Sequence, residues 1–209
     1  TSSQFCQALH KDTGKYIICP NYPLSPETSI PEIVDWTVGL LEHLRSRGVK
    51  SFSLTGVSAG ANLACLVSLA NSGGLEIREL HLITGHYQSD FDTHSAKKYE
   101  SGELSGLSKS MLMKLLNYAT SNHEFSMKDP LIFPLYSDNL GTLPKTFLYG
   151  AKFDVLYDDT IMFYEKLLRE GVDVHFEEFS EGFHAWSNYV LENEHLLDYA
   201  REKIFKYIS

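Results

Sequence analysis

One pentapeptide constrains the fold of this chain more than any other feature: Gly56–Gly60, which reads Gly-Val-Ser-Ala-Gly. A short β-prone run at 51–55 precedes it, and residues 61–70 follow with helical composition and no helix breaker. A serine in such a strand-to-helix turn is held in strained backbone geometry with its hydroxyl projecting. Glycine at both flanks is expected to give the room that so tight a turn needs. The pattern therefore predicts that Ser58 is presented as a nucleophile.

Composition indicates a single globular domain. With 209 residues, of which 43% are apolar, the chain is long enough to bury a proper core. A net charge of −9 argues against a nucleic-acid partner, and no run approaches the ~18 apolar residues of a membrane span.

The three cysteines, Cys6, Cys19 and Cys65, favour buried free thiols in a reducing compartment over a disulfide framework. No signal peptide is recognisable, so the cytoplasm is the default location, although a start at Thr1 rather than Met suggests an upstream N-terminus.

Short apolar runs alternate with helical stretches along the chain. Strands are predicted at 16–19, 51–55, 80–83, 145–149 and 172–179, and helices at 2–11, 32–47, 61–70, 158–170 and 193–208. This alternation predicts an α/β fold with a mostly parallel sheet covered by helices on both faces. The stretch 86–128 is polar and mixed, with one amphipathic piece from Met111 to Tyr118.

An acid and a histidine follow two of these strands. A serine hydroxyl becomes a good nucleophile when a histidine takes its proton and an acid holds that histidine in the right tautomer. Asp154 leaves the end of strand 145–149, and His184 follows strand 172–179. The order serine, acid, histidine, with each residue after a separate strand, is typical of α/β-hydrolases.

Other titratable residues have simpler interpretations. Asp158 and Asp159 open the helix at 158–170, where acids complement the helix dipole, so we interpret them as helix-capping residues. His86, just past the strand at 80–83, is the one competing histidine, but it precedes the acid in the chain. No His, Cys and Asp cluster has metal-ligand spacing, so neither a metal nor another cofactor is implied.

Four motifs resemble the hormone-sensitive-lipase-like, or bacterial-type carboxylesterase, branch of the α/β-hydrolases. Residues 22–27 resemble its Tyr-Arg-Leu-Ala-Pro-Glu element, and Gly56–Gly60 its Gly-Asp-Ser-Ala-Gly motif. Residues 154–158 are similar to its Asp-Pro-Leu-x-Asp motif, and residues 182–184 to its Gly-x-x-His motif. The resemblance spans nearly the whole chain.

The resemblance implies an α/β-hydrolase fold and a role for each matched residue. Ser58 would be the nucleophile, Asp154 the orienting acid and His184 the general base, and the backbone N–H of Ala59 would donate to the oxyanion. A serine esterase of this kind cleaves small-molecule carboxylic esters through an acyl-enzyme and needs no cofactor. The domain would comprise residues 1–209, with 86–128 as a cap-like insertion.

Three departures from the family pattern are visible. Pro23 stands where the family has arginine, and Val57 where it has an acid. Nothing resembles the family's His-Gly-Gly-Gly motif, which supplies a second oxyanion donor. The chain is therefore expected to correspond to the C-terminal two-thirds of such a hydrolase, without the N-terminal strands. One of those strands would lie between 16–19 and 51–55, and residues 1–209 alone would then fold poorly or turn over esters weakly.

Two other functions stay open from the sequence. An amide hydrolase or peptidase uses the same triad, and a non-catalytic ligand-binding protein can be built on the same scaffold. A non-catalytic protein on this scaffold can lose the triad histidine, so the presence of His184 favours an enzyme. Within 86–128, four residues are candidates for an acyl pocket or for the core, with the core favoured: Met111, Leu112, Leu115 and Tyr118.

Overall fold

A four-stranded parallel sheet forms the centre of the computed structural model, which describes residues 3–71, 76–122 and 124–208. The strands follow one another across the sheet in chain order: β1 Ser51–Val57, β2 Glu76–Ile83, β3 Lys145–Ala151 and β4 Val174–Phe179. In register, Leu54 lies opposite Leu80, and Leu80 opposite Thr146. Because all strands are parallel, their carboxyl ends lie at one edge of the sheet, where the loops that carry Ser58, Asp154 and His184 begin.

Helices cover both faces of this sheet, as predicted. They are α1 Ser3–Thr13, α2 Ile30–Ser46, α3 Ala59–Ala70, α4 His94–Lys98, α5 Lys109–Thr120, α6 Tyr157–Arg169 and α7 Glu194–Lys203. Short 3-10 turns lie at Pro134–Tyr136, Leu140–Thr142, Trp186–Tyr189 and Phe205–Tyr207. None of the described helices is both long and apolar enough to cross a membrane.

Alternation along the strands assigns side chains to two buried layers. Phe147 and Tyr149 of β3 pack with α1 and α7, whereas Leu148 between them packs with α3 and α6. Leu80 and Leu82 of β2 join Leu148 on the α3 and α6 side. A period of two is expected of strands, and here both faces are apolar because both are covered. Helix α2 packs with Leu66 and Val67 of α3 and with Phe52 and Leu54 of β1.

Local signals explain where helix α2 begins and ends. The Ser29 side chain accepts a hydrogen bond from the Glu32 backbone N–H, and the Glu32 side chain accepts one from the Ser29 backbone N–H. This reciprocal pair is a capping box, which satisfies backbone donors that the first turn leaves unpaired. Past the carboxyl end, Gly48 has φ +97°, a conformation in which a side chain would be strained.

The prediction of a buried strand at 16–19 is wrong. Tyr16 is 99% exposed and Ile18 54% exposed, and only Ile17 between them packs against the core. A buried strand requires partners for its N–H and C=O groups, and none of the described strands pairs with this segment. Among the described residues, β1 pairs only with β2 and lies at one edge of the sheet. The other four predicted strands are confirmed, with ends displaced by a few residues.

Two helices, α4 and α5, lie in the stretch 86–128. Of the four candidate pocket or core residues, only Leu112 is buried; it packs with Val155 and Leu156. The other three side chains are about half exposed, namely those of Met111, Leu115 and Tyr118. The core interpretation therefore holds for one of the four candidates, Leu112.

The three cysteines are free thiols with different environments. Cys65 is fully buried in α3, as expected, and burial strongly raises the pKa of its thiol. Cys6 is half-buried, whereas Cys19 is exposed because its segment forms no strand. The prediction of a buried Cys19 is wrong for the same reason as the strand prediction.

Candidate active site

Ser58 occupies a strained turn between β1 and α3. Its backbone has φ 56° and ψ −119°, a combination that costs a non-glycine residue about 1–3 kcal/mol. The Ser58 N–H donates to the Ile83 carbonyl at the end of β2, with N and O 2.9 Å apart. Since β2 lies between β1 and β3, this bond fixes the turn beside the loop that follows β3.

The two glycines that flank Ser58 are not equivalent. A Cβ on Gly56 would lie 2.0 Å from the Gly60 carbonyl oxygen and 2.5 Å from the Ala61 nitrogen, so the close approach of backbone to backbone requires glycine there. A Cβ on Gly60 would meet nothing within 4 Å. The expectation that both flanks need glycine is therefore right at Gly56 and wrong at Gly60.

Three side chains form a continuous line of hydrogen bonds at the carboxyl edge of the sheet. Ser58 Oγ lies 2.9 Å from His184 Nε2, and His184 Nδ1 lies 2.9 Å from Asp154 Oδ2. Asp154 is 1% exposed and the His184 side chain 10% exposed. With Asp154 ionised, Nδ1–H donates to the carboxylate, so Nε2 is left unprotonated and accepts from the serine hydroxyl. This arrangement can remove a proton from Ser58.

Hydrogen bonds within the loop after β3 hold the Asp154 carboxylate in place. Its Oδ1 accepts from the Leu156 N–H at 2.9 Å, which leaves Oδ2 for His184. This loop is also joined to the loop that follows β4 and carries His184 (the histidine loop), since the Phe153 N–H donates to the Gly182 carbonyl at 2.9 Å. A Cβ on Gly182 would lie 2.7 Å from the Phe179 ring, so the histidine loop packs closely against the end of β4.

The backbone N–H of Ala59 lies at the start of α3, directly after Ser58. Ala59 is the first residue of α3, so its N–H has no acceptor within the helix, and the residue is exposed. A helix N-terminus also carries a partial positive charge. An anionic oxygen formed next to Ser58 could accept a hydrogen bond there.

Asp158 and Asp159 lie in the first turn of α6, as predicted, but their carboxylates bond to other segments and do not cap the helix. The residue before the helix is Leu156, whose own side chain makes no capping hydrogen bond. Asp158 Oδ2 instead accepts from the Ser95 N–H at 2.7 Å. Asp159 is 3% exposed, and its Oδ1 accepts from Gln88 Nε2 at 2.8 Å. Burial raises the pKa of Asp159 well above its usual range, so this carboxyl favours the protonated form.

His86 lies beside this line without joining it. Its ring packs against Phe91 and Phe133, with centroid distances of 5.8 and 5.7 Å, and its Nε2 is 4.0 Å from Asp159 Oδ2. Burial lowers the pKa of His86 to about 4, and the nearby His184 contributes to this decrease. It is therefore neutral near pH 7, and the histidine whose ring nitrogen lies within hydrogen-bond distance of Ser58 is His184.

Sequence reasoning missed several polar residues that support the site. Ser95 and Ser105 contact the loop after β3, and Asn62 Nδ2 donates to the carbonyls of His86 and Ile132, both at 2.8 Å. Serine and asparagine are common residues, and none of these stands in a motif. Within residues 3–71, 76–122 and 124–208, no group of three or more His, Cys, Asp or Glu side chains is placed to hold a metal ion.

Comparisons with known proteins agree with this architecture. The chain is 28% identical over 188 residues to an esterase of Acinetobacter venetianus, a match that covers 88% of this chain and 60% of that protein. It is 22% identical over 203 residues to an acetyl esterase of Salmonella paratyphi B, covering 90% of this chain and 61% of that protein. The chain thus spans about three fifths of the length of these relatives.

A solved structure shows the same fold. A thermostable esterase from Pseudomonas putida superposes with a TM-score of 0.85 at 23% identity, covering 96% of this chain and 66% of that chain. The sequence family described as the alpha/beta hydrolase fold matches residues 1–188. Since that match covers far more than half of the sequence, this chain belongs to the alpha/beta hydrolase fold family.

Proposed function

We propose that this protein hydrolyses carboxylic esters through an acyl-enzyme, with Ser58 as the nucleophile, His184 as the general base and Asp154 as the orienting acid. The observation that carries the proposal is the hydrogen-bonded line from Ser58 Oγ through the His184 ring to Asp154 Oδ2. The esterase names of relatives that cover most of this chain support the same reaction.

The positions of these atoms support the following proposed reaction. Ser58 Oγ attacks the acyl carbonyl carbon while its proton passes to His184 Nε2, and the carbonyl oxygen becomes an oxyanion. Asp154 holds the ring and stabilises the imidazolium that forms. The tetrahedral intermediate then expels the alcohol, which takes the proton from Nε2. A water molecule attacks the acyl-serine, again giving its proton to Nε2, and release of the acid restores the Ser58 hydroxyl.

The N–H of Ala59 is proposed as an oxyanion donor. It precedes the paired part of α3, next to the Ser58 oxygen that forms the new bond. A preorganised donor of this kind contributes roughly 10²–10³ in turnover. Because the donor is a backbone group, no side-chain substitution at Ala59 removes it directly.

We place the stretch 86–128 in the same domain, as a cap-like insertion of an ester hydrolase that takes small-molecule substrates. Its buried residue Leu112 packs against Val155 and Leu156 of the loop that carries Asp154. The insertion is thereby attached directly to the proposed catalytic machinery. Met111 and Leu115 of α5, in the same insertion, are apolar side chains that are about half exposed.

The proposal is tested by replacing the nucleophile. Ser58→Ala should abolish turnover of a short-chain p-nitrophenyl ester and labelling by a fluorophosphonate, while the circular dichroism spectrum stays unchanged. Ser68→Ala, on the same helix α3 and remote from the strained turn, is the matched control and should retain both. Undiminished turnover in Ser58→Ala would overturn the proposal. Turnover of p-nitroanilides in preference to esters would instead favour an amide hydrolase, and ligand binding without labelling a non-catalytic protein.

A further inference from the structure

Two buried serines from the stretch between β2 and β3 contact the loop that carries Asp154. Ser95, in α4, is 2% exposed, and Ser105, between α4 and α5, is 0% exposed. A buried hydroxyl is retained without cost only where it is hydrogen-bonded, so the partners of these two serines indicate what they do.

Ser105 forms hydrogen bonds with two loops: the loop after β3 that carries Asp154 (the acid loop) and the histidine loop. Its Oγ accepts from the N–H of Val155, the residue after Asp154, at 3.1 Å. Its carbonyl oxygen accepts from the backbone N–H of His184 at 2.8 Å. One residue thus fixes the backbone beside the acid and the backbone of the histidine relative to each other.

Ser95 holds the opposite side of the same loop. Its Oγ donates to the Val155 carbonyl at 3.0 Å and accepts from the Asp158 N–H at 3.1 Å, and its own N–H donates to Asp158 Oδ2. The Val155 N–H is held by Ser105 and its carbonyl by Ser95. Both polar backbone groups of the residue next to Asp154 are therefore fixed by the same inserted stretch.

The turn that carries Ser105 is rigidly built. Gly102 and Gly106 have φ +77° and +73°, and a Cβ on Gly102 would lie 2.7 Å from the Ser108 nitrogen. Leu107, beside this turn, is buried in one cluster with Val155 and Leu156. Packing and hydrogen bonding thus hold the turn against the same loop.

We propose that Ser105 is a positioning residue for the hydrolytic triad, setting the distance between Asp154 and His184, with Ser95 supporting it from the other side of the loop. The inference rests on the proposed function and adds residues that the family motifs do not include. Loss of the Ser105 hydroxyl leaves the Val155 N–H buried without an acceptor, which favours displacement of the loop. Displacements near 1 Å in such arrangements cost on the order of 100-fold in rate.

The test compares Ser105→Ala with Thr120→Ala in the full chain. Thr120 is also buried and lies in α5 of the same stretch, and its Oγ1 donates within its own helix, to the Leu116 carbonyl. Ser105→Ala should lower kcat roughly 10- to 100-fold with KM changed less than about twofold. It should also shift or broaden the far-downfield proton resonance of the His184 Nδ1–H, assigned by its loss in Asp154→Asn. Thr120→Ala should keep kcat and the resonance even if its melting temperature falls equally.

Each outcome decides for or against the positioning role. A Ser105→Ala protein that melts earlier but keeps its kcat and resonance would show a merely structural serine and overturn the inference. If Ser105→Ala does not fold, Ser105→Cys and Ser95→Ala take its place, since each weakens one hydrogen bond to Val155, and unchanged kcat in both would again overturn it. If the wild-type chain turns over no ester, the proposed function fails, while the resonance still reports whether Ser105 orders the Asp154–His184 pair.

Discussion

At the residue scale, the strained turn at Ser58 shows how one steric contact selects an amino acid. Ser58 tolerates a positive φ because its N–H is bonded to β2 and because α3 begins directly after it. Gly56 allows that conformation, since its α-carbon faces the Gly60 carbonyl with no room for a methyl group. Gly60 carries no such restriction in the described structure.

The first prediction contrasts these two glycines. Gly56→Ala should lower the free energy of unfolding by several kcal/mol, because a Cβ 2.0 Å from a backbone oxygen forces the turn apart. Gly60→Ala should change stability by no more than about 1 kcal/mol, since alanine is favoured over glycine inside helices. Urea unfolding followed by circular dichroism measures both. Equal destabilisation by the two substitutions would contradict the steric account.

The second prediction distinguishes the carboxylates of the acid loop. Asp154→Asn should reduce esterase turnover by on the order of 10⁴, because an amide favours the wrong tautomer of His184. Asp158→Asn should cost less than about tenfold, because asparagine can still accept from the Ser95 N–H. Steady-state kinetics with a p-nitrophenyl ester gives both values. If the two losses were alike, Asp154 would not be the sole orienting acid.

At the element scale, the strands that are covered by helices on both faces could be predicted from the sequence. The run at 16–19 was mispredicted, because a strand also needs a neighbouring strand to pair with. The runs at 80–83 and 145–149 place apolar side chains in the buried layers on both faces of the sheet, as expected of a covered parallel strand. The run at 16–19 looks the same in sequence, yet no described strand pairs with it, and Tyr16, Ile18 and Cys19 are exposed. Apolar composition alone carries no information on pairing partners.

The amphipathic pattern of α5 gives the third prediction. Leu112→Ala should cost about 2–5 kcal/mol, because this side chain is buried against Val155 and Leu156. Leu115→Ala, with half of the side chain already in solvent, should stay within about 0.5 kcal/mol of wild type. Thermal and urea unfolding measure both values. A larger loss at Leu115 would mean that the exposed face of α5 is covered in solution.

At the scale of the whole molecule, a parallel sheet brings residues distant in sequence to one edge. Ser58, Asp154 and His184 follow β1, β3 and β4, so their order along the chain and their placement after strands were enough to select them. The positions of Ser95 and Ser105 depend on how the stretch 86–128 folds back onto that edge, and no motif encodes this. The environments of His86 and Asp159 could not be predicted from the sequence, because packing in the tertiary structure defines them.

His86 and Asp159 give the folded molecule opposite dependences on pH. Burial lowers the pKa of His86 from about 6.5 to about 4, so only the unfolded chain takes up that proton as pH falls through this interval. The free energy of unfolding therefore declines from about pH 6.5 to about pH 4, by about 3 kcal/mol for this group. Burial raises the pKa of Asp159, so stability from this group is present at acid pH and declines as pH rises above the unfolded value of about 4.

The fourth prediction separates the two groups by substitution. Asp159→Asn should raise the free energy of unfolding at pH 7, because an amide accepts from Gln88 Nε2 without the cost of a buried charge, and the gain should shrink as pH falls toward 4. His86→Asn should flatten the decline between pH 6.5 and 4, whatever packing it loses against Phe91 and Phe133 at neutral pH. Urea unfolding at half-unit pH steps from 4 to 8 measures both slopes against wild type. If the gain in free energy of unfolding in Asp159→Asn did not change with pH, Asp159 would not be the titrating group. If the pH dependence of the free energy of unfolding in His86→Asn ran parallel to wild type, His86 would be excluded as a source of acid sensitivity.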